Sequence, residues 1–100
     1  MIEALARLLR PRRAVDLSHW KVVFYSRAGC GCCDKAMAVL EPLQAIHGFE
    51  IETVDVDASP ELADLYGVEV PVVAIEGKVR FKGKIVPELL ARLIEAEGNR

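Results

Sequence analysis

The sequence has no excess of positive charge, because its 13 lysine and arginine residues are offset by 15 acidic residues. The resulting net charge of −2 excludes attraction to nucleic acid through bulk charge. No apolar run approaches the roughly 20 residues of a membrane-spanning helix. The chain also lacks internal repeats and low-complexity segments, and its 100 residues suffice for a single domain with one modest core. We therefore expect an ordinary soluble globular domain.

Cysteine is missing everywhere except in one short cluster, formed by Cys30, Cys32 and Cys33. A framework of structural disulfides spreads its cysteines along the chain, so this cluster favours redox chemistry or metal binding. Cys30 and Cys33 have C-x-x-C spacing at a predicted helix start, which brings both sulfurs to one face. Unpaired backbone N–H groups and the helix dipole favour the reactive thiolate there. In the alternative interpretation, both are merely small apolar helix residues.

The first ten residues have the pattern of a basic amphipathic helix that ends at Pro11. Two interpretations remain open for this segment. It packs on the domain with a solvated basic face, or it contacts a membrane or a partner. No apolar stretch followed by a small-residue cleavage site is present, which argues against a secretory signal.

The rest of the chain alternates between strand-like and helix-like segments. Strands are predicted over residues 21–26, 49–56, 68–75 and 79–82, and helices over 31–47, 59–67 and from 87 onwards. Pro71 interrupts the third strand, which continues as residues 72–75. Periodicity predicts these inward-facing helix residues: Ala36, Leu40, Leu43 and Ile46; Leu62, Leu65 and Tyr66; Leu89, Leu90, Leu93 and Ile94. Pro42 predicts a bend rather than a break in the long helix. The order β-α-β-α-β-β-α implies a parallel pair, an antiparallel pair and helices on both faces of one mixed sheet.

One strand and its following motif carry a family resemblance. The run Val22-Val23-Phe24-Tyr25-Ser26-Arg27-x-x-Cys30-x-x-Cys33 is very similar to the opening of glutaredoxins, and Val70-Pro71 precedes the third strand as it does in that family. The resemblance spans about residues 20–95. It implies an α/β, thioredoxin-like (glutaredoxin-like) fold with a four-stranded mixed sheet flanked by helices and an extra N-terminal helix. The predicted divisions are residues 1–19, the N-terminal helix and connecting loop, and residues 20–100, the glutaredoxin-like domain.

The resemblance also implies roles for the catalytic residues. Cys30 would attack a disulfide and form a mixed disulfide, and Cys33 would resolve it. Pro71 matches a cis-proline opposite the cysteines, beside which the Val70 backbone pairs with substrate as an added strand. The alternative for Pro71 is a trans proline at a strand start.

Two further residues are candidate substrate contacts. Arg27 matches a basic residue that contacts a glutathione carboxylate in glutaredoxins, and its charge would lower the pKa of Cys30. Its alternative is an exposed arginine without a partner. Tyr25 lines the same groove or simply faces the core.

The sequence departs from the glutaredoxin pattern at several places. Gly31 and Cys32 occupy the positions of the usual proline and aromatic residue, and residues 83–88 lack the paired glycine and acid that hold glutathione. Asp34 would oppose thiolate formation if it lies near the sulfurs. Cys32 is a third redox thiol, a metal ligand or, in the favoured interpretation, a passive substitution that points away from Cys30.

Two alternatives to redox catalysis remain open. Three soft thiolates in four residues suit copper(I), zinc or, across a dimer, an iron–sulfur cluster, which makes a metal or cluster carrier the second hypothesis. The third is a redox-inert binding module that uses the groove beside Pro71. His19 and His47 lack ligand spacing and are interpreted as surface or capping residues. Trp20 either reports the redox state from beside the motif or packs in the core.

The preferred interpretation is a cytoplasmic thiol–disulfide oxidoreductase active in cell redox homeostasis. It would cycle Cys30 and Cys33 between dithiol and disulfide without a bound metal or organic cofactor. The expected partner is a disulfide-containing protein or glutathione, the latter as a candidate co-substrate. The protein is expected to be monomeric, without a membrane span and without a nucleic-acid partner.

Overall fold

A four-stranded mixed sheet forms the centre of the structure, a computed structural model that describes residues 15–98. The predicted N-terminal helix lies outside the described residues. The strands are β1 (Lys21–Ser26), β2 (Glu50–Asp55), β3 (Val72–Ile75) and β4 (Lys78–Lys82). The helices are α1 (Gly31–His47), α2 (Pro60–Tyr66) and α3 (Pro87–Gly98), with a 3₁₀ turn at Val56–Ala58. Both the order of these elements and the thioredoxin-like fold confirm the sequence prediction.

The strand order is β2-β1-β3-β4, with β1 parallel to β2 and antiparallel to β3. Ser26 pairs with Asp55 and Tyr25 pairs with Val72. The carboxyl ends of β1 and β2 therefore meet the beginning of β3 at one edge of the sheet. The segments that follow β1 and β2 and the segment that precedes β3 must all emerge there.

One face of the sheet carries the main apolar core. Val22 and Phe24 of β1 pair with Ile75 and Val73 of β3, and all four side chains are buried. Side chains from α1 and α3 join the same cluster, including Ala36, Leu40, Leu90 and Ile94. Each fully buried Leu, Ile, Val or Phe contributes about 1.5–3 kcal/mol through the hydrophobic effect, so this face dominates the stability of the fold.

Three residues predicted to face inward are exposed, which corrects the helix assignments. Ile46, Leu65 and Leu89 have relative exposures of 49%, 60% and 46%. In α1 the buried stripe continues from Leu43 to the residue four positions later, His47, rather than to Ile46 three positions later. Real helices turn every 3.6 residues, so a stripe alternates between steps of three and four, and its end cannot be assigned from spacing alone.

His47 is buried rather than on the surface, which corrects that interpretation. It is 8% exposed, and its Nδ1 lies 2.8 Å from the carbonyl oxygen of Val15. The His47 carbonyl in turn accepts the Leu17 N–H at 2.9 Å. Leu17 is fully buried in the core, so the segment predicted as a connecting loop packs against the end of α1. His19 is exposed and lies 3.3 Å from Glu97, as an ion pair when protonated.

Strand limits differ from the prediction by small amounts. β2 is one residue shorter at each end, and β4 begins one residue earlier. The predicted continuation of the third strand over residues 72–75 is confirmed. The part before Pro71 is not a strand, because the Glu69 N–H turns back to the Tyr66 carbonyl at 2.8 Å. α1 continues through Pro42 without a break, as predicted. Among residues 15–98, no helix combines the length and apolar character that crossing a membrane requires.

Trp20 lies away from the cysteine motif, so it packs in the core rather than beside the site. It precedes β1 whereas the motif follows β1, and the two therefore lie at opposite ends of that strand. The indole is 4% exposed, and its ring centroid is 6.2 Å from that of Phe49.

Candidate redox site

The turn after β1 delivers Cys30 to the N-cap position of α1. The Cys30 N–H donates to the Arg27 carbonyl at 3.3 Å, which closes a four-residue turn. Gly29 has a φ of 76°, a left-handed conformation that glycine adopts without steric cost. Cys30 is the N-cap of α1, and its Sγ accepts the Cys33 N–H at 3.1 Å. The sulfur thus occupies the place of the capping oxygen, facing the unpaired amides of the first helical turn.

The two cysteines of the C-x-x-C pair differ in their access to solvent. Cys30 is partly exposed, whereas Cys33 is 5% exposed within the core cluster. Both are free thiols. The Cys30 sulfur is therefore accessible to an incoming molecule, whereas the Cys33 sulfur is buried three residues further along the chain.

The helix start does not favour the thiolate at Cys33, contrary to the general expectation for the motif. Burial, a hydrogen bond with Cys30 and the charge of Asp34 raise the pKa of Cys33 from 9.0 to about 11. A backbone hydrogen bond from Arg27 acts in the opposite direction and lowers this pKa. Cys33 is therefore a protonated thiol at neutral pH. The predicted opposition of Asp34 to thiolate formation is confirmed for this sulfur.

The Val70–Pro71 peptide bond is cis. Because Tyr25 pairs with Val72, the residues just before β3 lie beside the end of β1 and the turn that leads to Cys30. The Pro71 carbonyl accepts the Gly83 N–H at 2.8 Å, and the Glu69 carbonyl accepts the same N–H at 2.9 Å. Val70 is partly buried and packs against the core cluster to which Cys33 belongs.

Arg27 has a carboxylate partner within the protein. Its Nε and Nη2 donate to the two carboxylate oxygens of Asp57 at 3.0 and 2.9 Å, and its Nη1 donates to the Gly67 carbonyl at 2.9 Å. The side-chain hydrogen bond raises the pKa of Arg27 and lowers the pKa of Asp57. The interpretation of Arg27 as an arginine without a partner is therefore wrong. We call Arg27, Asp57 and Gly67 together the arginine clamp.

Tyr25 alternates with Phe24 along β1 and therefore points to the opposite face of the sheet from the main core. It is partly buried, and its ring centroid lies 4.7 Å from that of Tyr66 at the end of α2. Tyr25 therefore contacts Tyr66 and is not part of the main core cluster on the other face of the sheet.

Comparison with known proteins identifies the family to which these elements belong. The glutaredoxin-like domain family (DUF836) matches residues 21–95. The chain belongs to this glutaredoxin-like family. No sequence among the curated proteins matches it.

Solved structures similar to this glutaredoxin-like chain agree with that assignment. Protein Ne2328 from Nitrosomonas europaea is 30% identical with a TM-score of 0.66, over 74% of this chain and 89% of that one. Protein XcR50 from X. campestris is 27% identical with a TM-score of 0.61, over 75% and 96% of the two chains. A mutant thioredoxin from Halobacterium salinarum NRC-1 is 26% identical with a TM-score of 0.58, over 78% and 74%.

The third cysteine of this glutaredoxin-like chain stands apart from the pair. Cys32 is exposed, whereas Cys33 beside it is buried. Within residues 15–98, no group of three or more His, Cys, Asp or Glu side chains is arranged to hold a metal ion. The metal-carrier hypothesis therefore gains no geometric support from the described residues.

Asp57 and Gly67 are the site residues that sequence reasoning missed. Asp57 lies 30 residues from Arg27 and belongs to no recognisable motif. The usable signal is topological, because the carboxyl ends of two parallel neighbouring strands lie at the same sheet edge. Arg27 follows β1 directly and Asp57 lies two residues beyond β2, so their proximity follows from the predicted parallel pair.

Proposed function

We propose that this protein is a thiol–disulfide oxidoreductase that uses Cys30 and Cys33. The observation that carries the proposal is the unequal exposure of the two sulfurs at the N-terminus of α1, with Cys30 accessible and Cys33 buried. The membership of the glutaredoxin-like family and the position of Val70–Pro71 beside the same turn support it.

The chemistry proceeds in two exchanges. The Cys30 thiolate attacks one sulfur of a substrate disulfide, so that a Cys30–substrate bond forms, the substrate S–S bond breaks and the other substrate sulfur leaves as a thiolate. Cys33 then loses its proton to water and attacks the Cys30 sulfur. The Cys30–Cys33 disulfide forms, and the remaining substrate thiolate is released. The protein is oxidised by two electrons, and the substrate disulfide is reduced to two thiols.

The substrate class in this proposal is a disulfide-containing protein or glutathione. Val70 would offer its backbone to an extended substrate segment, and Tyr25 would flank that groove at the sheet edge. In this proposal the protein is a monomer in the cytoplasm, because that compartment is reducing and keeps a dithiol reduced between turnovers. No organic cofactor enters either exchange.

The test is mass spectrometry after alkylation, on protein equilibrated anaerobically in graded thiol/disulfide buffers. The wild type should lose two protons in one two-electron transition, with Cys30 and Cys33 protected together. Cys32→Ser is the matched control and should show the same transition, whereas Cys33→Ser should accumulate a mixed disulfide on Cys30. Three independently reactive thiols without a shared transition would refute the proposal.

A further inference from the structure

The main chain of Arg27 holds the turn that carries the first cysteine of the motif. Its carbonyl accepts the Cys30 N–H at 3.3 Å, and the Cys30 Sγ in turn accepts the Cys33 N–H at 3.1 Å. Arg27 thus fixes the entry to the helix start at which the two cysteines meet. Any movement of this residue would change the position of the two sulfurs relative to each other.

The side chain of Arg27 is fixed to two other segments at the same sheet edge. Asp57 holds it in a two-point ion pair, and the Gly67 carbonyl takes a third N–H. Such forked arginine–carboxylate pairs add geometric specificity beyond the attraction of the charges. Gly67 also makes room for the guanidinium, because a Cβ at this position would lie 2.9 Å from Arg27 Nη2. The turn that carries Cys30 is thereby tied to the 3₁₀ turn after β2 and to the end of α2.

We propose that Arg27 is a positioning residue whose arginine clamp holds the Cys30 turn in the geometry needed for Cys33 to attack the mixed disulfide. This inference rests on the proposed oxidoreductase function. It assigns the guanidinium to Asp57 and Gly67 rather than to a carboxylate of glutathione. Substrate recognition is then left to the backbone beside Pro71, which suits a protein disulfide better than a small anionic thiol.

The resolving step should depend on the clamp more than the first attack does. Cys30 is partly exposed and meets substrate from solvent, so small movements of its turn are tolerated. Cys33 is buried and must reach the Cys30 sulfur from a fixed position. Displacements of about 1 Å can lower the rate of such intramolecular reactions by about a hundredfold.

The two exchanges are separated by a single-turnover reaction with dithiodipyridine, a neutral disulfide that offers no carboxylate to Arg27. The reduced protein releases one thiopyridone when Cys30 attacks and a second when Cys33 resolves the mixed disulfide. All variants carry Cys32→Ser, so that the exposed third thiol does not contribute. The clamp variants are Arg27→Met, Arg27→Lys and Asp57→Asn. The matched control is Glu52→Gln, which removes the exposed Lys21–Glu52 ion pair of 3.6 Å.

We expect all three clamp variants to slow the second release by at least about tenfold, with a much smaller change in the first. Glu52→Gln should match the parent in both phases. Arg27→Lys keeps the charge but loses the forked geometry, so rescue by lysine would overturn the clamp in favour of a simple charge effect. An unchanged second phase in Arg27→Met and Asp57→Asn would also overturn it. Absence of a second release in the parent would instead refute the oxidoreductase function.

Two further measurements separate the clamp from a glutathione-binding role and from a loss of folding. With glutathione disulfide as substrate, a carboxylate receptor predicts that Arg27→Met raises KM and that Asp57→Asn, which frees the guanidinium, lowers it. That pair of opposite shifts would overturn the proposal. In the unmodified protein, solvent exchange of the Arg27 Nε–H should be slower than that of Arg80 and Arg92, which are both exposed. Equal exchange rates would contradict the clamp without any variant.

Discussion

Replacing Gly67 with alanine should change the free energy of unfolding through two effects of opposite sign. Gly67 has helical backbone angles of φ −53° and ψ −37°, which alanine adopts readily. At such a site a Gly→Ala change stabilises a protein by about 0.4–1 kcal/mol, because it restricts the unfolded chain. A methyl group at Gly67 would, however, contact the carbonyl oxygen of Ala63 and lie 2.9 Å from Arg27 Nη2.

The steric effect should be the larger of the two. The Ala63 carbonyl accepts the Gly67 N–H at 2.9 Å and belongs to the backbone, so it cannot rotate away from a new methyl group. Overpacking of this kind costs about 1–3 kcal/mol. We therefore expect Gly67→Ala to lose up to about 2.6 kcal/mol of unfolding free energy on balance. In a domain of this size each kcal/mol corresponds to about 4–8 °C in Tm.

Urea unfolding of the reduced protein measures this difference, and Gly31→Ala is its matched control. Gly31 is the first residue of α1 and Gly67 is the C-cap of α2, but a Cβ at Gly31 would have no atom within 4 Å. The control should therefore gain about 0.4–1 kcal/mol while Gly67→Ala loses stability. In the Arg27→Met background the loss should shrink without vanishing, because the Ala63 contact remains. If both alanine variants shift stability in the same direction by the same amount, the packing argument is wrong.

Three further predictions follow from the burial and pKa shifts. Arg27 lowers the pKa of the Asp57 carboxylate from 3.8, so the ionised carboxylate stabilises the fold above pH 3.8 and this effect is lost as the pH falls through the lowered pKa. In Arg27→Met, the free energy of unfolding should therefore fall less steeply as the pH is lowered. Cys33 has its pKa raised from 9.0 to about 11, so the native state retains a proton that the unfolded chain loses, and urea stability should fall across this interval in the wild type but not in Cys33→Ser. Leu40→Ala should lose about 2–5 kcal/mol in the same urea assay, whereas Ile46→Ala, at a 49% exposed position, should change stability by less than about 0.5 kcal/mol.

The sheet and its connections could be predicted because each depends on local signals. The continuous apolar run before the motif indicates a strand covered on both faces. In β1, Val22 and Phe24 are buried on one face, and Val23 and Tyr25 on the other face are partly buried. A long helix between β1 and β2 requires a parallel pair, and the short turn at Glu76–Gly77 requires an antiparallel one. These rules need only the order of helices and strands, which the pattern of residues along the chain indicates.

Which individual side chains are buried in the core could not be predicted to the same degree. Ile46 and His47 are adjacent, and spacing from Leu43 permits either to continue the buried stripe. Hydrophobicity favours isoleucine, but the observed helix buries His47, whose Nδ1 and carbonyl both bond the segment before β1. A buried polar group is tolerated when it is hydrogen-bonded, and that partner is invisible until the chain has folded.

The role of Arg27 depended on the same kind of distant partner. Arg27 lies three residues before Cys30 and has no acidic residue close to it in the sequence. From the sequence alone, its charge could therefore interact with the thiolate or with an anionic substrate. The pairing of Ser26 with Asp55 brings Asp57 to the edge of the sheet at which Arg27 emerges. An acid placed just beyond β2 thereby converts a potential anion receptor into an intramolecular ion pair that holds the turn leading to Cys30. Glutaredoxin-like chains that keep the basic residue but lack an acid at this place should accordingly differ in how strongly they depend on glutathione, even where their cysteine motifs agree.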